Sequence, residues 1–234
     1  MSGSYARALV WLLLCSAPVY AHDVITTKIT WNREIIRILN GRCLSCHHSG
    51  GKAFSLTTYN DGRPWAKAIQ EEVLERRMPP WGAVKGFGDF RNDRALTPEQ
   101  LEVIAEWVDG GAPEGEDKDL PPDLKIPESP ESPAPTADGA IRVSGDFQLL
   151  SDFMLDSIHV ETVPEKTSFQ LIAILPNGTM HPLLWMLPYK SIYSRQFELR
   201  MPLVLPKATL IQGIPAGVTL IFSPPASAAG GSVP

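Results

Sequence analysis

The stretch GRCLSCHHSGG, residues 41–51, contains the side chains of this sequence best suited to chemistry. Cys43 and Cys46 are three residues apart, and His47 directly follows the second cysteine. Three kinds of site use such a pattern: a redox-active dithiol, half of a zinc site, and the attachment site of a covalent haem. The rest of the sequence has to discriminate among them.

Zinc and a redox dithiol are both disfavoured by the sequence around the motif. A structural zinc site takes four Cys or His ligands, usually from two local pairs. The histidines outside the motif, His22, His159 and His181, form no second pair at metal-binding spacing. A redox dithiol does not need the histidine, and it usually begins a helix after a strand. Here TWNREIIRILNG, with Asn32 as the predicted cap and Gly41 as its predicted end, has the pattern of a helix.

A covalent haem uses every residue of the motif. The two thiols add to the vinyl groups of the haem, and the adjacent imidazole reaches the iron from the same side. The sequence therefore predicts one haem c, bound covalently through Cys43 and Cys46, with His47 as the proximal iron ligand.

Methionine and histidine are the common ligands for the other face of such an iron. Met78 lies in RRMPPWG, after a helical pattern over residues 64–77, and no other methionine follows Met1 in the first half of the chain. Pro79 and the proline after it stop the helix and stiffen the chain, which suits a thioether that must point in one direction. We predict Met78 as the distal ligand. A packing role for Met78, an open iron site and ligation by His22 are the alternatives.

A third helix is predicted in TPEQLEVIAEWVDGG. Thr97 is its expected N-cap, and Gln100 completes a capping box. Three helices around a C-x-x-C-H site match the pattern of small class I cytochromes c. Trp81, three residues after Met78, is predicted to contact the haem, with ordinary core packing as the alternative reading.

The runs RPWAKAI, RRMPPW and WVDGGAPEG resemble a family of exported bacterial c-type cytochrome domains, in which they follow C-x-x-C-H. The resemblance covers about residues 28–121. It implies that the triplet binds the haem and that Met78 is the distal ligand. Many members carry a proline just before FSL, where this chain has Ala53. A carbonyl of that proline region often orients the proximal imidazole, so the carbonyl that would orient His47 is left open.

The amino-acid composition changes twice in the remainder of the chain. Residues 113–139 are rich in proline and acid and poor in bulky apolar residues, as expected for a linker. Residues 140–225 consist of short apolar runs separated by Pro, Gly and Asn-Gly, which predicts a small antiparallel β-sandwich. With an all-α cytochrome c domain over 22–112 and a disordered tail over 226–234, the predicted fold class is α + β in two domains.

The predicted sandwich resembles the second sandwich of copper type II, ascorbate-dependent monooxygenases. The resemblance lies in the order of three predicted strand regions, SFQLIAILPNGT, PLLWMLPYKS and FELRMPLVLPKATLI. Those domains bind copper through a His-x-His pair and a methionine. The corresponding stretch here, HVETVPEKTSF, contains His159 alone. Met180, His181 and Met186 are the remaining residues from which a copper site could be assembled. A binding or docking module is the favoured interpretation.

The first residues, MSGSYARALVWLLLCSAPVYA, predict a signal peptide over 1–21 that is cleaved after Ala21. Its apolar run of about ten residues is too short to span a bilayer. We therefore expect a periplasmic or secreted protein without a stable membrane anchor, and bacterial haem c is attached outside the cytoplasm. The net charge of −5 without a basic run disfavours nucleic acid as a partner.

These expectations favour an electron carrier over an enzyme. Ligands on both faces of the iron would leave no position for a substrate, and the sequence contains no Ser-His-Asp set or phosphate loop. The expected partner is a redox protein, onto which the sandwich would dock the cytochrome. A haem- or copper-dependent oxidoreductase resembling a monooxygenase is one alternative. A haem-based redox or gas sensor is another, and it would require a labile Met78.

Overall fold

The structure, a computed structural model, describes residues 27–122, 124–126 and 139–225. The predicted signal peptide over 1–21, part of the predicted linker and the predicted tail over 226–234 lie outside these residues. A helical part comes first and two antiparallel sheets follow. The mixed composition of helices and sheets confirms the coarse prediction of the fold class.

The helical part contains four α-helices and several short turns of other helical types. In chain order these are a π-type turn Trp31–Ile35, α1 Ile36–Arg42, α2 Tyr59–Gly62, a 3-10 turn Arg63–Trp65, α3 Ala66–Leu74, α4 Pro98–Asp109 and a 3-10 turn Asp117–Asp119. All three predicted helices are present. The second one is interrupted near its start, and it ends at Leu74 because Arg76 adopts a left-handed backbone with φ of 54°.

The ends of these helices are set by local hydrogen bonds. At α4, Thr97 accepts a hydrogen bond from the Gln100 backbone, and the Gln100 side chain accepts one from the Thr97 backbone. This confirms the predicted capping box. At the first helix the predicted cap was wrong by two residues. The Thr30 hydroxyl accepts the N–H of Arg33, and Asn32 is instead buried inside the first turn.

Aromatic side chains form the centre of the helical core. Trp31 is almost fully buried, and its ring packs on Trp107 with centroids 5.8 Å apart and on Tyr59 at 6.1 Å. Gly62, the last residue of α2, lies directly against the Trp31 ring, where a Cβ atom would collide with it. The absence of a side chain at this position therefore permits α2 to pack closely on the turn Trp31–Ile35 that precedes α1.

The second part is a sandwich of two four-stranded sheets with the orders β1-β8-β3-β6 and β2-β7-β4-β5. Its strands are β1 Ile141–Val143, β2 Phe147–Gln148, β3 Phe153–Thr162, β4 Phe169–Ile174, β5 Met180–Met186, β6 Gln196–Leu205, β7 Leu210–Gln212 and β8 Thr219–Ser223. All paired strands are antiparallel. In β4 the buried residues Phe169, Leu171 and Ala173 alternate with more exposed ones, as a half-buried strand requires. The predicted antiparallel sandwich is confirmed.

Residues 79–95, which connect α3 to α4, pack against the sandwich, and we call them the bridging segment. Its side chains Trp81, Ala83 and Phe90 belong to the buried cluster of the sandwich rather than to that of the helices. Ala83 forms a β-bridge with Met186 on one sheet, and Phe90 forms one with Leu199 on the other. The segment lies within the predicted haem domain over 22–112, and it physically joins the two parts.

The start of the predicted linker is fixed to the helical part. The Pro113 carbonyl accepts hydrogen bonds from the Trp31 backbone and from the Trp107 indole, both at 3.0 Å. The Glu114 carbonyl accepts the Asn32 N–H at 2.9 Å. Within the part of the chain that the structure describes, no helix has both the length and the apolar character that crossing a membrane requires.

Candidate functional site

The C-x-x-C-H motif forms a compact turn at the end of α1. The Cys43 N–H still donates to the Leu39 carbonyl at 2.7 Å, which places Cys43 at the helix terminus. The N–H groups of Cys46 and His47 then both donate to the Cys43 carbonyl, at 3.0 and 2.9 Å. Cys43 and Cys46 are not joined in a disulfide. The turn therefore presents two thiols and an imidazole from one short stretch of backbone.

The orientation of the His47 imidazole is set by a backbone carbonyl. Its Nδ1 lies 3.0 Å from the Phe54 carbonyl oxygen. Because a carbonyl only accepts, Nδ1 carries a proton, and in the neutral ring this tautomer leaves the lone pair on Nε2 for a metal. Metal-binding histidines characteristically have such a partner on the other ring nitrogen. The carbonyl left open by the sequence is thus that of Phe54.

Two surface aromatic rings extend from His47. The Phe54 ring meets the imidazole edge to face with centroids 4.9 Å apart, and Trp65 packs on Phe54 at 4.6 Å. Phe54 and Trp65 each expose nearly half of their surface. Phe54 therefore restrains the imidazole twice, through its carbonyl and through its ring, while the outer side of the pair faces solvent.

The loop after the motif folds back tightly onto it. The Ala53 N–H donates to the Cys46 carbonyl and the Leu56 N–H to the His47 carbonyl, both at 3.1 Å. Gly51 lies against the Cys46 carbonyl and the His48 ring, where a Cβ atom would not fit. His48 itself makes a local hydrogen bond to the Ser49 carbonyl at 3.0 Å. This loop carries the Phe54 carbonyl to His47.

The protonation state of Cys43 bears on whether the motif is a redox dithiol. Cys43 keeps part of its surface accessible, but burial of its thiol, with a smaller effect of Cys46, raises its pKa to about 12. The thiol is therefore protonated at neutral pH, whereas disulfide exchange uses the thiolate. Across the described residues, no three or more His, Cys, Asp or Glu side chains are grouped to hold a metal ion.

Met78 lies where the helical part meets the sandwich. The N–H groups of Arg77 and Met78 both donate to the Glu72 carbonyl, at 2.9 and 3.1 Å, so Met78 is fixed to the end of α3. Its half-buried side chain borders a small cavity. Apolar residues around this cavity come from both parts: Val73, Leu96 and Leu101 belong to the helical core cluster, and Trp81, Ala83 and Leu187 to the sandwich cluster.

Trp81 is buried in the sandwich cluster and borders the cavity of Met78. Its ring packs against Phe197 and Phe90 with centroids 4.9 and 5.9 Å apart. The structure thus places Trp81 close to Met78 and gives its ring a packing role. Its predicted contact with a haem stays a prediction.

The predicted site residues form two groups. Cys43, Cys46 and His47 share the turn after α1, whereas Met78 and Trp81 border the cavity between the parts. His22 lies outside the described residues. The sequence left the orienting carbonyl open, because the identity of a side chain does not show where its backbone carbonyl points.

The residues considered for copper are spread over both sheets. His159 on β3 donates from Nδ1 to the Gln196 amide oxygen at 3.1 Å, and partial burial lowers its pKa. On β5, Met180 is exposed at one end, Met186 is fully buried at the other, and His181 follows Met180. These side chains have different environments and do not form a common site.

Comparison of the sequence with protein-family models gave no match, and comparison with curated proteins gave no significant similarity. The resemblance carried by the motifs therefore stays a prediction.

Proposed function

We propose that this protein is an exported c-type cytochrome with one haem, which transfers single electrons to and from a redox partner protein. Cys43 and Cys46 hold the haem through thioethers, His47 is the proximal iron ligand, and Met78 is the distal ligand. The observation that carries the proposal is the hydrogen bond from His47 Nδ1 to the Phe54 carbonyl, next to two cysteines on the same turn that form no disulfide with each other.

The residues of the turn fit a covalent haem. Thioether formation needs two thiols that are not joined to each other, and Cys43 and Cys46 form no disulfide. Iron ligation needs a lone pair on Nε2, and in the neutral His47 ring the hydrogen bond to the Phe54 carbonyl keeps the proton on Nδ1. A haem, when bound, supplies one-electron exchange between ferric and ferrous iron. The Phe54 carbonyl also makes the His47 imidazole a stronger electron donor.

Met78 supports the carrier interpretation over enzymatic chemistry. Met78 borders a small cavity whose walls include buried residues of the helical core. Methionine opposite histidine raises the reduction potential relative to two histidines, and a ligand on each face leaves no position for a substrate. Electron transfer is the function that remains for such an iron.

Optical spectra of the mature protein, made in a host that attaches haem c, test this proposal. A reduced c-type spectrum is expected, with a weak near-infrared band from methionine-to-iron charge transfer in the oxidised protein. Met78→Ala should remove the band, whereas Met201→Ala, which changes an exposed methionine of β6, should retain it. An unmodified protein that lacks the band and readily binds carbon monoxide would refute the His47–Met78 carrier.

A further inference from the structure

The backbone on both sides of Met78 is held by one loop of the sandwich. The Tyr193 hydroxyl donates to the Arg76 carbonyl at 3.2 Å, two residues before Met78. The Ser194 N–H donates to the Pro80 carbonyl at 3.0 Å, two residues after it. Both donors belong to the connection between β5 and β6, so adjacent residues of one loop bracket Met78.

The contact continues along the bridging segment without a gap. The Leu187 N–H donates to the Gly82 carbonyl at 2.8 Å, and the Val84 N–H donates to the Trp185 carbonyl at 2.9 Å. Gly82 also packs directly on the Tyr193 ring, where a Cβ atom would come within 2.5 Å. The chain after Met78 is therefore paired with the edge of one sheet.

The far end of the bridging segment is fixed to the other sheet by charge. The Arg91 guanidinium makes two hydrogen bonds to Asp156, at 3.0 and 2.9 Å, and a third to Glu198 at 3.0 Å. The Arg91 N–H also donates to the Glu198 carbonyl at 2.9 Å. A bidentate Arg–carboxylate pair fixes geometry as well as adding energy. Both ends of the bridging segment are thus fixed to the sandwich.

We propose that the β-sandwich is a clamp that positions Met78 as the distal iron ligand, with Tyr193 and Ser194 as its positioning residues. This inference rests on the proposed function. Any backbone movement that carries Met78 away from the iron has to break the hydrogen bonds that hold Arg76 and Pro80 to this loop. The sandwich therefore keeps the methionine-bound state populated, in addition to any docking role.

The size of the effect follows from the hydrogen bonds. A neutral intramolecular hydrogen bond contributes a factor of about 2 to 10 to an equilibrium constant. A competing ligand of the ferric iron binds in proportion to the fraction of protein in which Met78 is released. Loss of the Tyr193 hydroxyl should therefore tighten the apparent binding of such a ligand by about 2- to 10-fold.

Titration of the oxidised, haem-loaded full chain with imidazole tests the clamp, with loss of the near-infrared band as the readout. Tyr193→Phe keeps the ring but removes the hydroxyl. Tyr59→Phe is the matched control, because the Tyr59 hydroxyl donates to the Ala112 carbonyl at 3.0 Å within the helical part. We expect tighter imidazole binding only in Tyr193→Phe. Met78→Ala lacks the distal ligand, so its imidazole affinity is the upper limit for release of Met78. Binding to this variant is measured by the shift of the haem absorption, because it has no near-infrared band.

Three results would overturn the clamp, and they separate it from the proposed function. If Tyr193→Phe binds imidazole like the unmodified protein while Met78→Ala binds it far more tightly, the clamp is wrong and the His47–Met78 carrier stands. If Tyr193→Phe and Tyr59→Phe tighten binding equally, the effect is a general loosening and the clamp is also wrong. If Met78→Ala changes nothing, Met78 is not a ligand, and both proposals fail.

Gly82→Ala offers a second test that does not depend on a hydrogen bond. Its Cβ atom would press on the Tyr193 ring and on the Met186 sulfur, 2.9 Å away, and so displace the segment from the loop. Imidazole binding should again tighten. Gly41→Ala, where a Cβ atom meets nothing within 4 Å, is the control. Equal binding by the two glycine variants would contradict the clamp.

Discussion

Substitution of Gly62 by alanine tests the packing of the helical part that carries the C-x-x-C-H turn. Gly62 has an ordinary helical backbone, with φ of −86° and ψ of −38°, so alanine can adopt its conformation. The added Cβ would nevertheless collide with the Trp31 ring. Trp31 cannot move away easily, because it is buried between Trp107 and Tyr59. The collision must displace either α2 or the first helix.

The expected loss follows from two opposing effects. Overpacking in a filled core costs about 1 to 3 kcal/mol. Replacement of glycine at a permitted conformation recovers about 0.4 to 1 kcal/mol through the unfolded chain. We therefore expect Gly62→Ala to lower the free energy of unfolding by about 1 to 2 kcal/mol. Gly41→Ala in α1 has open space around the new Cβ, and it should be neutral or stabilising.

Urea denaturation of the haem-loaded protein, followed by far-ultraviolet circular dichroism, measures both variants. The two substitutions add the same atoms to helical positions, so the difference between them isolates the contact with Trp31. If Gly62→Ala were as stable as Gly41→Ala, the close packing of α2 on the first helix would be refuted.

Three further predictions concern the bridging segment, α4 and the sandwich. Arg91→Leu leaves the partly buried carboxylates of Asp156 and Glu198 unpaired, and it should lower the free energy of unfolding in urea by about 1 to 2 kcal/mol. Loss of the exposed ion pair between Lys118 and Glu116 should lower it by less than about 0.5 kcal/mol. Thr97→Ala removes the cap of α4 and should cost about 1 kcal/mol by the same assay; an unchanged midpoint would contradict the capping box. Because burial lowers the pKa of His159, the unfolded chain binds its proton first, so stability should fall as the pH drops below about 6.5. His159→Gln should reduce that fall between pH 7 and pH 5, and an equal fall in both proteins would contradict the assignment.

The features that could be predicted are those in which sequence neighbours make the structure. The capping box of Thr97 and Gln100 depends on residues three apart, and the turn from Cys43 to His47 depends on one short stretch. The strands were recognisable because buried and exposed residues alternate along them. Such local patterns are readable without knowledge of the rest of the chain.

The position of the bridging segment could not be predicted in this way. Its partners on the sandwich, including Leu199 for Phe90, are far away in the sequence, and one strand pattern does not name its partner. Trp81 illustrates the difficulty. It lies three residues from Met78, and the structure places its ring in the cluster of the other part. Tyr193 and Ser194 had no recognisable pattern either, because their role depends on carbonyls more than a hundred residues earlier.

The mass of the purified mature chain, made in a host that attaches haem c and measured after denaturation, tests the central claim most directly. We predict a mass that exceeds that of the chain beginning at His22 by one haem, and the loss of covalent haem when Cys43 and Cys46 are both replaced by alanine. A mature chain that carries no haem after denaturation would contradict the assignment of Cys43, Cys46 and His47 to a haem c site.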